Sequence, residues 1–277
     1  MIDQALAYAG TMAGAYTIII VLFGVGQVIS TAESLSQRGE FGDGGLLPWR
    51  ILQLGYRPLK RLQKLAVHLF EIRGMTVLLV VKLISAASLI LLPIGSVALT
   101  IAIAVVILVM LAESFRNSAY GGEGSDQMGV IIGVALFIGC SSWSSPALAF
   151  IGLTFIAAQS VLSYLAAGVS KVVSTKWRSG SALVGILETE AYGLPAFASI
   201  LRIYPKVTWT LTWTLLLFET TFALSLVAPA QVTLAYIAGG VLFHLTNAVV
   251  MGLNSFFWMF TASYPAVLFV SLQMAVF

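Results

Sequence analysis

The sequence predicts an all-α, polytopic transmembrane helix bundle of about eight spans, carried as a single integral membrane domain over residues 1–277. Three observations predict it. Hydrophobic residues make up 59% of the chain and charged residues 9%, whereas a soluble domain carries roughly 25% charged residues. The apolar residues fall in runs of about 20, the length at which a helix crosses the hydrocarbon core, and in lipid only helices and closed barrels satisfy their own backbone groups. The basic residues, finally, sit between those runs, with Lys82 alone falling inside one.

The first run, 9–29, lacks a basic leader and reads as a retained span rather than a cleaved signal peptide. The loop 31–74 follows. Its part 37–46 holds Gly39, Gly42, Gly44 and Gly45 and reads as a flexible link. Its part 50–72 places Leu52, Leu59, Leu62, Leu65, Leu69 and Ile72 at near-helical spacing, with Arg57, Lys60, Arg61 and Lys64 between them. That pattern predicts an amphipathic interfacial helix on an anionic membrane face, and such a surface also suits a docked partner. Spans two to five are read at 75–93, 96–113, 128–141 and 146–170, with the fourth short. Residues 181–199 are too polar to cross and belong along the interface. Spans six to eight follow at 208–228, 232–252 and 255–277. Pro93-Ile94-Gly95, the 141–146 segment and Ala228-Pro229 supply the turns.

Charge sets the orientation. Arg38, Arg50, Arg57, Lys60, Arg61, Lys64 and Arg73 precede span two. Arg116 follows span three, and Lys171, Lys176, Arg178, Arg202 and Lys206 separate spans five and six. With eight spans these loops share one side, which the positive-inside rule makes cytoplasmic, with both termini outside, as expected of a bacterial plasma-membrane protein.

Several function classes lack their signatures. There is no Walker A loop, no GxGxxG, no HExxH and no nucleic-acid-binding motif, so nucleotide cofactors and nucleic-acid partners are not expected. One cysteine, Cys140, and two histidines, His68 and His244, give no disulfide and no metal cage.

The candidate site residues are the ionisable and polar groups stranded in apolar runs. Lys171 ends an uncharged stretch that begins near Pro146, and a lysine at that depth needs a partner, a route to water or a task. Held among apolar groups it suits a general base; equally, it can snorkel or sit in a structural ion pair. Glu219 lies mid-span, and a Lys171–Glu219 pair is the simplest solution for both. Glu188 and Glu190 are the other carboxylates within reach in sequence. His244 and Asn247, at i and i+3, share a helix face and point to a polar pocket. Asp126, beside Glu123, is placed to cap span four. Lys82 needs a carboxylate, for which Glu113 and Asp126 are the candidates.

Tyr164, Ala167, Gly168, Val169, Lys171, Trp177 and Gly180 form a run that resembles a motif of the HTTM (horizontally transferred transmembrane) superfamily, the family of the vitamin K-dependent gamma-carboxylase. Phe243, His244, Asn247, Met251, Gly252, Phe256 and Phe257 resemble a second motif of that family. The resemblance implies that Lys171 is the base that deprotonates a reduced quinone of vitamin K or menaquinol type, with O2 and CO2 as co-reactants, and that His244 acts in the same pocket. Trp177, Asn247, Glu219 and Asp126 are then the expected cofactor-binding residues. The family's upstream histidine has no counterpart, since none occurs between His68 and His244. The chain also ends at residue 277, straight after its last span, without the carboxylase's soluble domain. In size it is closer to the short bacterial relatives that mature a sporulation-delaying peptide toxin together with a partner protein. The resemblance thus implies a membrane-embedded carboxylase/epoxidase-like enzyme acting on a peptide with a protein partner. Two other classes remain open: a non-enzymatic scaffold or partner-binding subunit, and a transporter using Lys82, Glu219 and Lys171 as a relay.

Overall fold

A computed structural model describes residues 2–55, 68–117, 124–141, 143, 145–190 and 192–275. Among these residues the secondary structure is helical throughout. The chain falls into two compact units, one made of Met1–Tyr16 with Leu153–Phe277 and the other of Thr17–Gly152. The boundaries lie inside two long helices, α2 and α7.

In chain order the helices are α1 (Ile2–Ala9), α2 (Met12–Ser36), α3 (Trp49–Leu52), α4 (Ile72–Leu89), α5 (Val97–Asn117), α6 (Gly124–Ser141) and α7 (Pro146–Val173). Then come α8 (Thr175–Arg178), α9 (Ser181–Leu187), α10 (Pro195–Ile203), α11 (Pro205–Thr221), α12 (Ala230–Met251) and α13 (Asn254–Met274). Seven of them, α2, α4, α5, α6, α7, α12 and α13, are long and apolar enough to cross a membrane. They leave large apolar side chains such as Ile84, Leu108, Leu242 and Val249 exposed, a surface that suits lipid rather than water. The protein is an integral membrane protein and its surroundings are the bilayer.

The expected sixth span is the exception to the length rule. Pro205 starts α11 at its first turn, and α11 covers 17 residues before tightening into a 3-10 turn over Phe222–Leu226. The helical path is therefore as long as expected, but its last turn is wound differently. Asp126 lies in the first turn of the helix described from Gly124, where its charge complements the helix dipole, and the residues before Gly124 lie outside the described residues.

The amphipathic helix expected near 50–72 falls largely on residues 56–67, outside the described residues, as does Glu123. Its near flank forms α3 and a 3-10 turn over Gln53–Gly55. Trp49, Leu52 and Phe70 bury one another there, with the Trp49 and Phe70 rings 4.7 Å apart. In the same unit α4, α5 and α6 pack in succession, and Lys82 of α4 pairs with Glu113 of α5 at 2.5 Å. The candidate partner that the lysine selects is thus Glu113.

In the other unit, residues 181–203 form the short helices α9 and α10 rather than a crossing segment. They clasp Leu187, Ala198 and Leu201 between them, and Arg202 bonds Glu188 at 2.8 Å across the pair. Glu188 is therefore committed to Arg202 and not to Lys171. Gly252 takes φ 72°, a left-handed conformation that ends α12 and lets α13 begin two residues later.

Candidate functional site

The site is built on α7, α11, α12 and α13. On α7, Tyr164, Gly168 and Lys171 stand at i, i+4 and i+7, so one face of the helix carries all three. Lys171 lies in the last turn, where a cation complements the C-terminal dipole. The chain then folds back sharply. Arg178 donates to the carbonyls of Val172 at 2.9 Å and Val173 at 3.3 Å, satisfying the end of α7. That return brings the Trp177 ring to 5.2 Å from the Lys171 ammonium, within cation–π range.

Gly168 sets the depth of the next contact. A Cβ there would lie 2.7 Å from the Thr220 backbone nitrogen and 2.8 Å from its side-chain methyl. Only a glycine lets α7 and α11 approach this closely, and Glu219 is the residue just before Thr220. Lys171 Nζ consequently donates to both carboxylate oxygens of Glu219, at 2.5 and 2.7 Å. Glu219 is almost wholly buried at 2% exposure, while Lys171 keeps 18%.

A second polar chain runs beside the first. His244 Nε2 of α12 lies 2.8 Å from the Tyr164 hydroxyl, which lies 2.6 Å from the Tyr264 hydroxyl of α13. Gly240, one turn before His244, makes room for the pair: a Cβ would sit 2.3 Å from the Tyr264 oxygen. The His244 ring stacks on Phe260 at 4.4 Å between centroids, and Tyr164 stacks on Phe222 at 4.0 Å. Its Nδ1 is buried and has no hydrogen-bond partner among the described residues. Ser263 donates to Ser160 at 3.0 Å, tying α13 to α7 a turn further along.

Beside these groups lies a half-open cavity of about 230 Å3. Lys171, Glu219, His244, Asn247, Ser163 and Tyr164 supply its polar wall, and Phe243, Phe256, Phe260, Leu253 and Ala167 its apolar one. Sites of this kind, mostly apolar with a few convergent polar groups, suit small flat ligands. Of the expected site residues, Lys171, Glu219, His244 and Asn247 meet here, and Trp177 covers the lysine from outside the lining. Asp126 does not line it and belongs to the other compact unit. Sequence reasoning gave no role to Tyr264 or Gly240, and none to Tyr164 beyond its place in a motif. A mid-span tyrosine costs little, and a glycine in an apolar run announces a close approach without naming the partner.

The other unit holds a wider cavity of about 570 Å3, lined by Glu40, Glu113, Arg116 and Asn117 among others. Arg116 is fully buried there. It donates to the carbonyls of Phe70 at 3.1 Å and Leu47 at 2.5 Å, and lies 4.6 Å over the Phe41 ring. Those bonds tie α5 to the segment before α4, and the guanidinium is largely spent on holding the chain.

The chain matches no protein-family model, and no curated protein and no solved structure is significantly similar to it.

Proposed function

We propose that this protein is a membrane-embedded carboxylase/epoxidase-like enzyme of the HTTM type, which uses a reduced quinone and modifies a peptide together with a protein partner. The observation that carries the reading is the convergence of Lys171, Glu219, His244 and Asn247 on one aromatic-walled cavity. Two features fit a quinol ring. The phenylalanine faces suit a flat apolar body, and beside the Asn247 amide on the polar wall His244 Nδ1 makes no hydrogen bond among the described residues. The volume of about 230 Å3 is below the roughly 300 Å3 of a drug-sized pocket, so it suits a ring whose tail leaves into lipid.

When bound, a reduced naphthoquinone supplies a phenolic hydroxyl whose loss of a proton activates the ring toward O2, with CO2 as the further reactant of carboxylation. The chain's own part is proton handling. Lys171 and Glu219 form a neutral ion pair; the ammonium has no lone pair, so the proton acceptor is the Glu219 carboxylate, or the lysine amine once its own proton has passed to Glu219, and either uptake leaves a net positive site. That charge lies against the anion left on the ligand, so the two new charges stay close together and attract strongly in a medium of low dielectric. Trp177 steadies the ammonium, and Phe243, Phe256 and Phe260 keep water from the reacting ring. Placement in a bacterial plasma membrane is part of the same proposal and follows from the likeness in size to short bacterial members of that family, while the orientation with both termini outside rests on the distribution of Lys and Arg between spans.

One observation favours a second reading. Lys171 and Glu219 satisfy each other at two oxygens, which is also what a purely structural pair in a scaffold or partner-binding subunit would do. Wild type and Lys171→Met, purified in mild detergent, separate the two. The enzyme reading expects a co-purifying quinone, seen by mass spectrometry, and O2 consumption with reduced menaquinone, both lost in the variant. Full turnover in Lys171→Met would remove the base. A stoichiometric protein partner without quinone would favour the scaffold.

A further inference from the structure

The acid–base pair leaves the second polar chain unexplained. His244, Tyr164 and Tyr264 are all buried. Among the described residues their side chains make only the two hydrogen bonds that join them, and Nδ1 makes none. A neutral imidazole carries its proton on one nitrogen only, so three arrangements satisfy the distances. In the first, Tyr264 donates to Tyr164, Tyr164 donates to Nε2, and the proton sits on Nδ1. One group is left over, the Nδ1–H. In the second, Nε2–H donates to Tyr164 and Tyr164 donates to Tyr264. Two groups are left over, the Tyr264 proton and the Nδ1 lone pair. In the third, Nε2–H and Tyr264 both donate to Tyr164, and the Tyr164 proton and the Nδ1 lone pair are left over. Each buried polar group without a partner is costly, so the first arrangement wins by one group. Cooperative polarisation along the chain favours it further, because Tyr264 makes Tyr164 a better donor.

We propose that Tyr164 is a positioning residue that holds His244 in the Nδ1–H tautomer, and that this N–H, sealed from water in the ligand-free protein, is the donor that a ligand in the adjoining cavity engages with an acceptor oxygen when it displaces the side chain covering it. The ligand class is then a carbonyl or phenolate compound, bound with one oxygen at His244 and another toward Lys171. The inference rests on the cavity being the ligand site proposed above. Gly240 is part of the device, since any side chain there would displace the Tyr264 hydroxyl that feeds the chain.

The test is 15N NMR of histidine-labelled protein in lipid nanodiscs. With only two histidines in the sequence, His68→Gln leaves His244 as the single signal. The expected spectrum has a protonated Nδ1 and an unprotonated Nε2. Tyr164→Phe keeps the ring that stacks on Phe222, so it is expected to fold while giving a mixture of tautomers. The probe 2-methyl-1,4-naphthoquinone should shift the Nδ1–H signal, and Tyr164→Phe should weaken its binding by about tenfold, the equivalent of one hydrogen bond. A protonated Nε2 in wild type, or an unchanged single tautomer in Tyr164→Phe, overturns the positioning role. A probe that quenches Trp177 fluorescence but leaves Nδ1–H unmoved overturns the donor role while leaving the cavity as the quinone site. A probe that does not bind overturns the donor role together with the cavity reading, and the tautomer is decided separately by the ligand-free spectra.

Discussion

Removing Lys171 should harm the fold more than removing Glu219, and removing both should harm it less than removing Lys171 alone. The order follows from burial. Glu219 is 2% exposed and Lys171 18%. Lys171→Met strands a carboxylate with almost no access to water, and breaking a buried pair from one side costs about 3–5 kcal/mol. Glu219→Gln leaves the ammonium at a cavity wall, beside the Trp177 ring and within reach of water. The loss there is nearer one charged hydrogen bond, about 1.5–3 kcal/mol. In the double variant no charge is stranded, and the remaining cost is a Gln amide facing the cavity, about 1–3 kcal/mol. The second substitution should therefore restore stability to Lys171→Met. Equilibrium unfolding in mixed SDS and mild-detergent micelles measures all four proteins. A double variant less stable than Lys171→Met, or single effects that simply add, would refute the pairing. The double variant is also the right control for activity, because it removes the proposed base without leaving a buried charge.

The Lys82–Glu113 pair should behave in the opposite sense. There the lysine is 3% exposed and the carboxylate 19%, so Glu113→Gln is expected to cost about 3–5 kcal/mol and Lys82→Met less, measured in the same unfolding assay. Gly168→Ala should destabilise by about 1–3 kcal/mol, because the new methyl meets backbone and not a movable side-chain tip; a neutral or stabilising outcome would mean that α7 and α11 are not in contact at Thr220. Gly240→Ala should destabilise by a similar amount, and Tyr264→Phe should relieve part of that loss by removing the oxygen nearest the new methyl.

The spans were legible because lipid imposes both length and composition on a helix. The expected start of span five at 146 is the start of α7 at Pro146, and the expected seventh and eighth spans differ from α12 and α13 by a few residues at most. Prolines at the starts of α7, α10 and α11 and the glycine after α12 punctuate the chain visibly. The ionisable residues of the site were legible for a related reason: Lys171, Glu219 and His244 are expensive in apolar runs and so draw notice. Their pairings were less so. Glu219 was a plausible partner for Lys171, but so were Glu188 and Glu190, and it takes the tertiary fold to commit Glu188 to Arg202. Tyr164 and Tyr264 are a hundred residues apart, and nothing in a sequence announces that two affordable hydroxyls will meet. The winding of Phe222–Leu226 was hidden too, since Phe, Ala and Leu suit an α-helix as well as a 3-10 turn.

Among the described residues two lysines lie paired with carboxylates, and the asymmetry of burial separates them. A group that exchanges a proton with a ligand must be reachable by it. In the Lys82 pair the ammonium is sealed and the carboxylate faces the cavity, next to a guanidinium spent on backbone carbonyls. That arrangement fastens α4 to α5 and leaves no amine for a ligand to meet. In the Lys171 pair the carboxylate is sealed and the ammonium is the more open member, framed by a histidine, an amide and aromatic faces. A buried carboxylate behind an accessible amine gives the proton somewhere to go without moving the charge far. The same ion-pair chemistry therefore serves as a rivet in one unit and, in the other, leaves its more open member at a cavity, which is what the proposed proton-handling role requires.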